Sequence, residues 1–372
     1  MLSNNQQAFL ELVRAGLWEK EAQLSPFYPI DFKEIYRLAQ EQTVVGLVAS
    51  GLEHVADTKI PSEVALTFAG EALQLERRNS AMNRFVGVIV DKMRVAGIYT
   101  LLVKGQGVAQ CYEHPLWRSC GDVDLLLSCD NYDKAKLFLV PKASKVDFES
   151  VSDKHLGMTI EQWVVELHGS LHTELSSRVD KIIDSVQDDV FYHGGVRCWM
   201  CGETQVFLPS PDNDIIFIFT HYLKHFYKGG LGLRQICDWC RLIWVFKNSI
   251  NHSTLESRIC EMGLMTEWKA FGAFAVEWLG MPSETLPFHD KSNKWTKKAK
   301  YICEFILEVG NMGHNRDMSF YNNKSFLRRK IGSFRLRIGD LLRHARLFPI
   351  DSFRFFPNIV FNGVRSAIKG VG

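Results

Sequence analysis

The sequence predicts an α+β protein: a small mixed sheet flanked by an N-terminal and a C-terminal helical region. Three observations carry this. Apolar residues recur at helical spacing through residues 1–97. Short alternating or apolar runs separated by glycine turns then occupy 98–209, the spacing of strands interleaved with helices. Helical periodicity returns after Pro209-Ser210-Pro211-Asp212 and continues to about Val309.

In order along the chain, Phe9, Leu10, Leu12, Val13 and Leu17 form the first amphipathic stripe. A long helix is predicted from Glu63 through Arg94, with Gly97 as its C-terminal glycine. Tyr99 to Val103 reads as a short strand. It runs into the turn Lys104-Gly105-Gln106-Gly107 and a helix through Val108, Ala109 and Tyr112. A glycine turn opening a helix presents backbone N–H groups and the positive end of the dipole, which suits a phosphate. Lys104 adds a point charge beside it.

Asp122-Val123-Asp124 follows, leading into Leu125-Leu126-Leu127. Residues i and i+2 of a strand share a face, so the two carboxylates lie together and repel. A cation is the usual reason to tolerate that, and hard oxygen ligands suit Mg²⁺ or Mn²⁺. Trp163-Val164-Val165-Glu166-Leu167-His168 is a second alternating run, with Glu166 and His168 on one face. If it pairs beside the Asp122 strand, Glu166 completes a three-carboxylate cluster. That is the charge needed to hold two cations roughly 3.5–4 Å apart. Val196 to Met200 and Gln205 to Leu208 read as a hairpin around Cys201-Gly202.

Asp212 is the expected N-cap of a helix beginning at Asn213. His221 and His225 share a face of that helix. Arg234 and Asp238 lie one turn apart on the next helix, with the spacing to pair. Residues 210–322 form this helical region. In residues 323–372, eleven Lys or Arg face two Asp, an excess of nine, which leaves residues 1–322 at net −7. Phe326-Leu327, Ile331, Phe334, Ile338 and Leu341-Leu342 interleave with arginines as a basic amphipathic helix ending at Pro349, and a Phe-rich stretch follows. Such a tail has affinity for an anionic membrane surface if it is accessible.

Lys104, Gly105, Tyr112, Pro115, Arg118, Asp122 and Asp124, with the later Glu166-Leu167-His168, resemble an uncharacterised bacterial nucleotidyltransferase family. That family belongs to the DNA polymerase beta-like nucleotidyltransferase superfamily. The resemblance is specific over about residues 98–170 and looser to about 245. It implies that the mixed-sheet core, 98–209, is a nucleotidyltransferase core and that the helices of 210–322 close over the nucleotide. It implies Mg-dependent transfer of a nucleotidyl group from an NTP to an unknown acceptor, with a sugar, lipid-linked molecule or peptide as candidates. Asp122, Asp124 and Glu166 are then the catalytic metal ligands. Lys104, Gly105, Gln106, Arg118, His168, Arg234 and Asp238 are then nucleotide-binding, with Arg118 set to neutralise charge on the leaving pyrophosphate. Gln106 stands where the superfamily usually has Ser or Gly, so the serine hydroxyl is missing. Two other readings remain open: an Asp-x-Asp glycosyltransferase, and a non-catalytic nucleotide-binding relic.

The chain has 372 residues, is 46% hydrophobic and 23% charged, and carries a formal charge of +2, so no nucleic-acid partner is expected. Nine cysteines without a framework predict reduced thiols and a cytoplasmic home, peripheral to the inner membrane face if the tail binds lipid. Cys198/Cys201 and Cys237/Cys240 are too far apart for a typical zinc ribbon and read as ordinary thiols. The opening residues lack the basic and apolar regions of a signal peptide, and no apolar run reaches the roughly 18–20 residues of a membrane span.

Overall fold

The computed structural model describes residues 2–150, 154–316 and 326–368. Three N-terminal helices, α1 (Asn4–Trp18), α2 (Phe32–Glu41) and α3 (Val45–Glu53), precede the long helix α4 (Ser62–Val95). Ser3 caps α1 with a capping box. α4 runs 34 residues with no internal proline, Glu63 in its first turn and Lys92 and Arg94 in its last, each matched to the dipole. It stops two residues before Gly97, whose φ of +71° an L side chain would resist.

The sheet holds β1 (Leu101–Val103), β2 (Asp122–Leu126), β3 (Lys145–Val146), β4 (His155–Ile160) and β5 (Trp163–His168), in the order β1-β2-β5-β4-β3. β2 and β5 are parallel and the other pairs antiparallel, so the sheet is mixed. Two helices interrupt it, α5 (Gly105–Ala109) and α6 (Cys129–Leu139). α5 is five residues long and does not extend to Tyr112, which falls in the turn that follows. After α7 (Ser177–Tyr192), β6 (Val196–Cys201) and β7 (Thr204–Pro209) form a separate hairpin.

Side-chain alternation divides the sheet cleanly. Val123, Leu125, Leu156, Met158, Ile160, Trp163, Val165 and Leu167 join α4 and α6 in one buried cluster. Each such side chain contributes roughly 1.5–3 kcal/mol on burial, enough to hold β2 in place against the repulsion of its two aspartates. The opposite face carries Asp122, Asp124, Glu166, His168 and His155.

Beyond the hairpin lie α8 (Pro211–Lys228), α9 (Leu233–Phe246), α10 (His252–Met262), α11 (Met265–Glu277) and α12 (Asn293–Val309). Ser210, not Asp212, occupies the N-cap of α8. Pro211 takes the first helical position, where its missing N–H costs nothing. Asp212 instead accepts from the Asn251 backbone N at 2.9 Å. These helices share a core with α1–α3. Trp18 Nε1 donates to the Leu279 carbonyl at 2.5 Å, and Gln42 joins the Ile306 carbonyl to the Leu233 backbone N.

The boundary drawn at 322/323 lies outside the described residues. α13 (Phe326–Leu347) and α14 (Pro349–Ile368) follow it. The Phe-rich stretch is therefore a second helix, begun by Pro349 rather than merely cut off by it. The inner side of this pair is packed: Leu347, Phe348 and Phe355 are buried, and the His344 ring lies against Phe226, Tyr227 and Phe305.

Glu267 on α11 is buried there. It accepts from Tyr227 Oη at 2.9 Å. Burial, then the Asp351 carboxylate of α14, pushes its pKa to about 8. The folded chain thus keeps a proton that the unfolded chain releases above about pH 4.5. Stability falls as pH rises from there to about 8, by up to about 1.4 kcal/mol per unit. Glu267→Gln is expected to flatten that fall. Melting temperatures of both proteins from pH 5 to 8 check it, and parallel curves would contradict it.

Candidate active site

β2 and β5 lie in register with Asp122 opposite Val164, Asp124 opposite Glu166 and Leu126 opposite His168. On the far side of β5, His155 of β4 pairs with His168. The period of two places Asp122, Asp124, Glu166, His168 and His155 on one face. Carboxylate oxygens of Asp122, Asp124 and Glu166 all lie within 4.8 Å of one another.

The cluster is held by cationic and imidazole partners. Lys104 Nζ donates to Asp124 Oδ1 at 3.0 Å, and His168 Nε2 meets the same oxygen at 2.8 Å. His155 Nε2 lies 3.1 Å and His168 Nε2 3.4 Å from Glu166 Oε2. Burial and then the charges of Asp124 and Glu166 raise the pKa of Asp122. Asp124 is lowered: burial opposes its charge, but Lys104 and the His168 hydrogen bond outweigh it. Hydrogen bonds from His155 and His168 hold Glu166 below the usual range. Burial works against the Lys104 charge, yet Asp124 and the other carboxylates raise its pKa. Asp122 is thus the carboxylate left short of positive charge. The three carboxylates offer an all-oxygen donor set to a dication, and a dication would reverse the crowding at Asp122. That fits Mg²⁺ or Mn²⁺.

Lys104 is the residue before α5. Its φ of +58° and ψ of −144° lie outside the regions a lysine prefers. Such a backbone costs of order 1–3 kcal/mol, and here it sets the ammonium on Asp124. Gly105, at φ +37°, completes the turn, and an added Cβ would sit 3.2 Å from Cys120 Sγ. Gln106 is buried. Its Nε2 donates to Asn79 Oδ1 at 2.9 Å on α4, so the side chain braces the turn from behind.

Arg118 and Asp238 are brought together as a buried pair. Arg118 Nε reaches Asp238 Oδ1 at 3.0 Å and Nη2 reaches Oδ2 at 2.5 Å, while Tyr112 Oη donates to Oδ1 at 2.8 Å. The expected Arg234–Asp238 pair does not form. Arg234 donates from Nη1 to the Ser119 carbonyl at 2.8 Å, and its Nε has no partner among the described residues. Burial, then the neighbouring Arg118, lowers the pKa of Arg234, with Asp238 and Asp122 among the charges opposing. His221 and His225 bond each other through Nε2 at 3.0 Å. Burial, then the charge of Lys104, lowers both, His225 to about 3. They form a neutral pair facing the site from α8.

His155 escaped the sequence reading. The signal was present in His155-Leu156-Gly157-Met158-Thr159-Ile160, an alternating run that precedes the Glu166 strand by a short turn. Both histidines and Glu166 form a second group of ligand atoms within 4.8 Å. All nine cysteines are free, and neither Cys-x-x-Cys pair joins a metal-ligating group among the described residues. Among those residues, no helix is long and apolar enough to cross a membrane.

An acidic, cation-seeking centre on a small mixed sheet, walled by helices, is the class of site this defines. A family of uncharacterised nucleotidyltransferases matches residues 28–280, more than half of the chain, and the chain belongs to it. The match is wider than the 98–245 segment that carried the sequence resemblance, and it takes in α2–α4 and α10–α11. A crystal structure of an antigenic nucleotidyltransferase-like protein from Paracoccidioides brasiliensis is similar over 56% of this chain and 96% of that one, at 15% identity and a TM-score of 0.33. A superposition that loose says nothing of residue roles. No curated protein matches the chain.

Proposed function

We propose that this protein moves a nucleotidyl group from an NTP to an acceptor hydroxyl, phosphate or amine, in the manner of the DNA polymerase beta-like superfamily. The observation that carries this is the register of β2 and β5, which sets Asp122, Asp124 and Glu166 on one face. Mg²⁺ or Mn²⁺, held there, would polarise the phosphate and lower the pKa of the acceptor hydroxyl. The chain's own residues supply the rest. Lys104 is the cation nearest the carboxylates and is placed to take a phosphate oxygen. Gly105 keeps the turn tight. Gln106 supports that turn through Asn79. Arg118 is closed on Asp238, so the charge on departing pyrophosphate falls to Arg234, whose fork is less engaged. A sugar, lipid-linked or peptide acceptor follows from family likeness, and the free cysteines fit a reducing, cytoplasmic setting.

The test is a screen of the four NTPs with Mg²⁺ or Mn²⁺ and cell extract, reading pyrophosphate release and the mass of labelled acceptor. Metal-dependent pyrophosphate release is the expected result. Its absence with every NTP would overturn this reading and leave an Asp-x-Asp glycosyltransferase or a nucleotide-binding relic.

We assign the terminal helices to an anionic membrane surface. Their inner side is packed on the core, but Ile350, Phe353 and Phe361 remain exposed along one side of α14, with Phe334 and Leu342 exposed on α13. Exposed Arg335 and Arg346 accompany them. Attachment therefore does not require the helices to detach. Each basic residue near such a surface contributes about 1 kcal/mol, screened by salt. Phosphatidylglycerol vesicles are expected to sediment the protein at low salt, and Ile350→Asp with Phe353→Asp to weaken this strongly. Equal sedimentation of the two proteins would show a merely solvated face.

A further inference from the structure

We infer that His155, His168 and Glu166 form a separate binding site for a transition-metal dication of the Zn²⁺ type, joined to the carboxylate cluster through Glu166. This rests on the nucleotidyltransferase reading only for the role of the neighbouring aspartates. The site itself stands on three observations.

Both imidazoles bring Nε2 close to Glu166 Oε2, with His168 Nε2 also 2.8 Å from Asp124 Oδ1. His155 Nε2 is 3.1 Å and His168 Nε2 3.4 Å from Glu166 Oε2, and the ligand atoms of all three residues lie within 4.8 Å of one another. Two donors each about 2.1 Å from a common ion stand about 3.0 Å apart at an octahedral angle and about 3.4 Å apart at a tetrahedral one. The two His–Glu166 separations fall within that interval.

The donors differ in kind from those next door. Two imidazole nitrogens and a carboxylate suit Zn²⁺ and its borderline neighbours, whereas the Asp122–Asp124–Glu166 set is all oxygen and suits Mg²⁺. One face of the sheet thus offers two chemically distinct seats that share a single carboxylate. Carboxylates bridge metal pairs at such spacing in two-metal centres.

The backbone also fixes the arrangement. His155 and His168 are register partners on adjacent antiparallel strands, so their ring centroids lie 4.8 Å apart, tilted by 34°, without depending on a loop. The His155 side chain is 39% exposed and that of His168 is 10% exposed. His155 is thus the more solvent-accessible of the two imidazoles.

The experiment uses the full-length protein stripped with a chelator and dialysed. Zn²⁺ binding is followed by calorimetry in excess Mg²⁺, and Co²⁺ binding by visible absorption. One Zn²⁺ per chain is expected, with a Co²⁺ spectrum carrying nitrogen ligation. His155→Ala should lower Zn²⁺ affinity at least about 10-fold, since loss even of an outer partner costs 10–100-fold. Asp122→Asn should retain Zn²⁺. An unchanged melting temperature for metal-free His155→Ala shows that the fold is intact, and His155→Gln provides a second variant should the alanine form fail to fold. No saturable Zn²⁺ binding in excess Mg²⁺, or equal affinity in wild type and the folded histidine variant, overturns the inference and shows that the imidazoles only hydrogen-bond Glu166. NTP turnover with Mg²⁺ and no Zn²⁺ binding would sink this site and leave the proposed function standing. Zn²⁺ binding without any turnover would do the reverse.

Discussion

Asp122→Asn is expected to abolish metal-dependent pyrophosphate release, by on the order of 10²–10³-fold, the range for removing one preorganised group that stabilises transition-state charge, while leaving the protein as stable as before or more so. The two halves of this expectation have one cause. Asp122 carries the raised pKa of the cluster because burial and two neighbouring carboxylates disfavour its charge. An amide of the same shape removes that repulsion and is also a poorer metal ligand. Function and stability should therefore move in opposite directions, as they do where strain is kept for activity. Thermal melting and a pyrophosphate assay on the same preparation check both. Wild-type turnover in Asp122→Asn would remove Asp122 from the ligand set. A large drop in melting temperature would mean that the carboxylate serves the fold.

The site's carboxylates were legible in the sequence because a strand's period of two is local: Asp122 and Asp124 must share a face, as must Glu166 and His168. What lies across the strands was less legible. His155 lies on a separate alternating run, and local spacing does not show that the sheet makes it the register partner of His168. Local spacing misled at Arg234 and Asp238. They are one turn apart and able to pair, but spacing along one helix does not show which other cations converge on the buried Asp238. A bidentate fork from Arg118 on a buried carboxylate is stronger, and it wins. At Gln106 the family resemblance implied a nucleotide-binding role. The short α5 instead turns that side chain onto Asn79, and nothing local in the sequence marks the partner. The helical frame was easier, because α4 and its Gly97 stop follow from propensity and capping. α14 was hidden because Pro349 reads as the end of a helix, yet it begins the next one, which also holds Pro357 inside it.

Asp238→Ala is expected to destabilise the fold by about 3–5 kcal/mol, the cost of leaving one partner of a buried pair without its counter-charge. Arg118 is 8% exposed and Asp238 3% exposed. Burial opposes the Arg118 charge, and Asp238 restores it so fully that its pKa ends above the usual value. Removing the carboxylate takes away both arms of the fork and the acceptor for Tyr112 Oη. Nothing else described on Arg118 replaces it, since Nη1 is spent on the neighbouring Ser119 carbonyl at 3.1 Å. The loss also reaches the site. The pair joins α9 to the segment entering β2, whose backbone Asn79 secures at the Arg118 carbonyl at 2.9 Å. Loosening that joint lets Asp122 and Arg234 shift relative to one another. A nucleotide-binding role and a structural one therefore predict different measurements. If Asp238 only contacts nucleotide, Asp238→Ala should weaken NTP binding and leave the urea midpoint of the free protein unchanged. The buried pair predicts a midpoint that falls in the absence of any nucleotide. Asp238→Asn, which keeps the shape but not the charge, should also lower the midpoint. A paired Arg118→Met, Asp238→Leu variant removes both charges together, and it should recover most of the loss because apolar replacement of a buried ion pair is often neutral or stabilising. If the double variant is no more stable than Asp238→Ala, the pair is not what ties α9 to the sheet.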